Sequence, residues 1–206
     1  RAIGYKVNQI SFAEKIKILE NISQPEGLPY SINMKKYLCG LCFLDDDDFN
    51  AMIKYLNSGK NRPAIFDDKN MAEKIFIRDF PGLAKKVGGW DKNWEGVTVF
   101  SSRIPSSTRG SPNESFRIII ARYNEIVLIH ELSHQLHSLV WSETGSIGYT
   151  KYMKVKELYT TMKGRGLRPI SGYITDDGEY FAYSVEWFFQ RPADLNLRDP
   201  DIFEFL

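Results

Sequence analysis

Apolar residues recur along this chain with two different periods, and the switches between them mark its elements. Phe49, Met52, Ile53 and Leu56 fall at i, i+3, i+4 and i+7, the stripe of an amphipathic helix. Such a stripe is far more often core than docking surface, and residues 1–62 as a whole read as a helical region. Gly96-Val97-Thr98-Val99-Phe100 and Ser115-Phe116-Arg117-Ile118-Ile119-Ile120-Ala121 read instead as strands, the second of them buried. Between them, Ser101 to Glu114 is rich in Ser, Pro and Gly and reads as a flexible loop. Phe76 to Leu83 fits neither period, because Pro81-Gly82 breaks it.

Helical spacing returns at Glu125-Ile126-Val127-Leu128-Ile129, with Asn124 placed to cap it and Leu132, Leu136, Leu139 and Val140 continuing the buried face. A last helix is expected from Asp176, its cap, through an aromatic run to Phe189, stopped before Pro192. The pattern predicts an α+β fold: a small mixed sheet with an edge strand, and helices that carry a site at one edge. We read residues 1–206 as a single domain, with the chemistry in 80–206.

That chemistry is concentrated in His130-Glu131-Leu132-Ser133-His134, inside the predicted helix. Positions i and i+4 share a helix face, so the two imidazoles can grip one metal ion. Glu131 lies on the adjoining flank, where it can deprotonate a metal-activated water. The pattern points to a zinc hydrolase. A catalytic zinc normally takes three protein ligands, and His137 is a poor third. It follows His134 by three residues, without the longer glycine-containing spacer of the metzincins, and three histidines spread along one helix do not converge. His137 is expected to support the site from behind or to be structural. Glu179 and Glu186, two turns apart on the last helix, lie on nearly the same face, and the pattern leaves open which one is the third ligand.

The motif HELSH, followed by Tyr173 and by Glu179-Tyr180-Phe181-Ala182, resembles the catalytic domain of anthrax lethal factor and its relatives, which include the secreted Pro-Pro endopeptidases. Gly88-Gly89-Trp90-Asp91-Lys92-Asn93-Trp94-Glu95-Gly96-Val97 is similar to the stretch that this family places before its substrate-binding strand. The resemblance implies a zincin-like fold and a secreted zinc endopeptidase. It implies His130, His134 and Glu179 as ligands, Glu131 as general base and Tyr173 as an oxyanion donor. The peptide would lie extended along Val97, Thr98, Val99 and Phe100 by backbone pairing. The chain departs from the family twice. Tyr183 stands where a second helix glutamate would support a ligand histidine, and the step from Tyr173 to Glu179 is one residue short. Tyr183 is expected to take over the supporting role, with Glu186 and His137 as the other candidates.

Composition narrows the partners. A net charge of +1 over 206 residues, 43% of them hydrophobic, gives no reason to expect nucleic acid or an anionic membrane surface. No apolar run is long enough to span a bilayer. A protein or peptide substrate and a monomer are expected, and the start at Arg1 reads as a processed or truncated product. Cys39-Gly40-Leu41-Cys42 lies in a helical pattern, not after a strand, and reads as buried or locally paired thiols instead of a redox motif. Asp45 to Asp48 lack the alternation of a calcium loop and read as helix capping. Ser107-Thr108-Arg109-Gly110-Ser111 lacks the lysine of a phosphate loop. Two other functions fit the same residues: a degraded site kept as a binding module, marked by Tyr183, and a zinc hydrolase of non-peptide amides or esters.

Overall fold

The computed structural model describes residues 10–22, 25–27, 38–57, 63–99, 117–122, 124–141, 145–166 and 174–206. Among these the chain runs α1 (Phe12–Leu19), a 3-10 helix (Cys39–Phe43), α2 (Asp46–Asn57), β1 (Ala64–Ile65), α3 (Lys69–Asp79), α4 (Pro81–Val87), β2 (Gly96–Val99) and β3 (Arg117–Ile120). Then come α5 (Glu125–Gln135), continued by a π-helical segment (Leu136–Val140), α6 (Gly145–Gly164), α7 (Asp177–Gln190), α8 (Pro192–Arg198) and α9 (Pro200–Phe205). The fold is α+β, as the pattern predicts.

The sheet has the order β1-β3-β2, with β1 parallel and β2 antiparallel to the central β3. β3 is buried along its whole length, and its register pairs Gly96 with Ile120 and Thr98 with Ile118. Alternation across the pleat divides the core. Ile65, Ile118 and Ile120 join a cluster with α1, α2, α5, α6 and α7 through Leu19, Phe49, Met52, Leu128, Val155 and Phe181. Ala64, Val99 and Ile119 face a second cluster built on Ile75, Phe76 and Phe80 of the α3–α4 side, where Trp90 and Trp94 meet Phe76 edge-on. β2 lies at an edge of the sheet, paired on one side to β3.

Local chemistry explains the boundaries. The Asn124 side chain accepts from the Ile126 N–H to open α5, and Asp176 accepts from the Glu179 N–H to open α7. Pro81, at the first turn of α4, ends α3 and starts a new helix, so the ambiguous stretch 76–83 is two helices meeting at Phe80. Gly88 closes α4 with φ +83°, a backbone that side chains rarely adopt. Tyr180 donates to Asp199, the cap of α9, and so ties α7 to the C-terminal helices.

Three findings refine the pattern. Among the described residues the strands run Gly96–Val99 and Arg117–Ile120, so β3 stops one residue before the expected Ala121, while Ser115 and Phe116 lie outside the described residues. Asp48 is more than a capping residue, because it is buried and accepts from Trp141 Nε1 at 2.9 Å and Lys151 Nζ at 2.6 Å. α6, absent from the pattern reading, spans Gly145–Gly164 and buries Val155, Leu158 and Met162. Cys42 is buried in the first cluster, in line with a packing role. Phe100, the loop 101–114 and Tyr173 lie outside the described residues, as do the side chains of Cys39 and Leu139. No described helix is long and apolar enough to cross a membrane.

Candidate metal centre

α5 and α7 pack against each other and carry His130, Glu131, His134, Glu179 and Glu186, the described side chains of the centre. Helical spacing puts His130 and His134 one turn apart on the face of α5 turned to α7. Their Nε2 atoms stand 3.2 Å apart, both aimed at one point. Glu179, in the first turn of α7, completes the triangle: Oε2 lies 3.5 Å from His130 Nε2 and Oε1 lies 3.5 Å from His134 Nε2. Among the described residues, His130, His134 and Glu179 form a group whose ligand atoms all lie within 4.8 Å of one another. Ligand atoms about 2.0–2.1 Å from a tetrahedral ion would be roughly 3.3 Å apart, so these residues fit such an ion. The donor set, two imidazoles and a carboxylate, is also one that zinc accepts.

The electrostatics agree with a site built for positive charge. Burial pulls the His130 pKa down, but hydrogen bonds to Glu179 and Glu186 and the charge of Glu131 outweigh it and raise it to about 9. Burial likewise pushes the Glu179 carboxyl up, yet the two imidazoles hold it far below the usual carboxylate range. A cation in the middle of the triangle would replace the protons these groups otherwise compete for.

Behind the triangle the structure separates the candidates for supporting roles. His130 Nδ1 faces Glu186 Oε2 at 3.4 Å. A carboxylate on the far nitrogen is the usual device for fixing a ligand imidazole's tautomer and orientation. For an ion held at the two Nε2 atoms, Glu179 is the carboxylate on the ion's side of His130 and Glu186 the one behind its ring. Tyr183 packs its ring edge-on against His130 with centroids 4.7 Å apart. His137 is sealed away from the triangle. It stacks on Phe181 and lies against Tyr152, with Nε2 3.7 Å from Asp177 Oδ2.

Glu131 projects from α5 toward β2. Thr98 Oγ1 lies 2.6 Å from its Oε2 and 3.0 Å from its backbone carbonyl. Thr98 turns its side chain to Glu131, and Val97 and Val99 pack into the second cluster. Sequence reasoning missed the Thr98–Glu131 contact, since 33 residues separate the partners and no local pattern links them.

Another space lies on the opposite faces of the same two helices. It is an apolar cleft of about 560 Å³ lined by Ile129, Leu132, Leu136, Phe181, Val185 and Phe188, among others. The convergent polar groups are on the histidine face, and they make that face the candidate centre. Comparison of the chain with protein-family models, with curated proteins and with solved structures finds no match.

Proposed function

We propose that this chain is a zinc-dependent endopeptidase. The observation that carries the proposal is the convergence of His130, His134 and Glu179, with Glu131 on the flank beside an edge strand. The resemblance to the lethal factor family supports the same reading. Zinc, when bound, supplies Lewis acidity, which lowers the pKa of a water and polarises a peptide carbonyl. Glu131 takes the proton from the attacking water and returns it to the leaving amine. Glu186 holds the His130 ring in place, and the edge of β2 away from β3 takes an extended peptide by backbone hydrogen bonds. Tyr173, by the resemblance, donates to the developing oxyanion.

The test begins with elemental analysis of the purified chain after zinc loading at neutral pH, followed by digestion of a peptide library with and without chelator. One zinc per chain and chelator-sensitive cleavage are expected. Glu131→Gln should keep the zinc and lose at least about 10²-fold in kcat. A chain that takes up no zinc, or a Glu131→Gln variant that cleaves at full rate, would refute the proposal.

A further inference from the structure

We propose that Thr98 is a positioning residue that aims the Glu131 carboxylate, an inference that rests on the reading of Glu131 as general base. A glutamate on a helix flank has three rotatable bonds and no intrinsic reason to hold one direction. Here its direction is set from another element. The Thr98 hydroxyl, 2.6 Å from Glu131 Oε2, can donate its proton to the carboxylate, and the hydrogen bond to an ionised acceptor is of the strong kind. Glu131 is 5% exposed, so little water competes for that oxygen.

The strand is built to make this contact. Gly96 and Thr98 are two residues apart and share the face of β2 turned to α5. A Cβ at Gly96 would lie 2.7 Å from Val127 Cγ1 and 3.0 Å from Glu131 Oε1. Glycine there lets β2 approach the helix closely enough for the threonine hydroxyl to reach. Thr98 thus secures one carboxylate oxygen, Oε2. Val97 and Val99, on the opposite face, anchor the strand in the second cluster, so the threonine rides on a fixed element.

Two measurements on the full chain test this. In the first, the 13C resonance of the Glu131 side-chain carboxyl, assigned by its loss in Glu131→Gln, is followed in zinc-loaded and zinc-free protein. Thr98→Val should shift it and Thr98→Ser should leave it nearly in place. Equal positions for wild type and Thr98→Val would overturn the proposal, whether or not the chain cleaves peptides. In the second, Thr98→Val should lower kcat about 10- to 100-fold with KM and zinc content nearly unchanged, and Thr98→Ser should restore most of it. Full kcat in Thr98→Val, or a loss expressed wholly in KM, would instead make the threonine a packing or substrate-contact residue. A wild-type chain that binds zinc but cleaves no peptide would refute the endopeptidase reading, and the carboxyl resonance would still decide the contact.

Discussion

Arg78 and Arg117 meet Glu26 and Asp79 in one charge cluster, and His130 and His134 meet Glu131, Glu179 and Glu186 in another. In the first, two guanidiniums face two carboxylates, and each carboxylate is reached by both arginines. The cluster is neutral and saturated, and it ties the Glu26 segment and α3 to the buried start of β3. In the second, the carboxylates of Glu131, Glu179 and Glu186 outnumber the two imidazoles. Hydrogen bonds to Glu179 and Glu186 and the charge of Glu131 raise His130 against the effect of its burial. Both clusters bring cationic and anionic side chains together, the first partly exposed at Arg78 and the second more enclosed at His130. Charge balance separates them, because a saturated cluster has nothing left to bind, whereas an anionic one accepts a cation.

The largest effect should come from removing a ligand from the unbalanced cluster. Glu179→Ala takes away one of three metal-binding groups, and competitive zinc titration should show a loss well beyond the roughly 10–100-fold typical of outer residues, with folding intact. Retention of zinc by that variant would mean the third ligand has been misassigned.

Next comes the balanced cluster. Arg117→Met removes the buried partner of Glu26 and Asp79 and leaves them only the exposed Arg78, which should cost about 1.5–3 kcal/mol of unfolding free energy in urea. Zinc affinity of the folded fraction should not change. A fall in affinity as large as that of Glu179→Ala would erase the distinction drawn here.

Glu186→Gln should act more weakly and only on the metal side. It keeps a group that can accept from His130 Nδ1 but removes the charge, and zinc affinity should drop by about 10-fold, near the lower end of outer-residue effects. An unchanged affinity would show that the His130 ring is held by its packing against Tyr183 instead.

The smallest effect is a pH slope. The Arg78 hydrogen bond, with help from Arg117, holds the Glu26 carboxyl down from 4.5 to about 2. Its folded pKa is depressed, so its stabilisation is full above the unfolded value and fades as pH falls from about 4.5 to about 2. Thermal melts should therefore find wild type more stable than Glu26→Gln at pH 6, with the gap closing by pH 2. A gap that stays constant over that range would mean Glu26 is not held by the arginines.

Local patterns on single elements were legible in the sequence. The His130/His134 pairing follows from helical periodicity, and the caps at Asn124 and Asp176 follow from side chains that satisfy the N–H groups two and three residues on. Phe49, Met52 and Leu56 announced a buried stripe, and all three are fully buried. α6 was missed. Its Val155, Leu158 and Met162 stand at helical spacing, i, i+3 and i+7, but follow a glycine-containing start and lie among many polar residues.

What only the tertiary structure decided are the meetings between elements. Glu179 and Glu186 share a face of α7 but stand about 10 Å apart along its axis. Sequence cannot say which is level with the histidines, because that depends on how α7 slides against α5, and the packing of the two helices sets it. The result places Glu179 at the Nε2 atoms and Glu186 at His130 Nδ1. In the same way the β2–β3 register, with Gly96 giving room, brings Thr98 to Glu131. The chain's local code fixes which groups a helix presents; long-range packing fixes which of them touch.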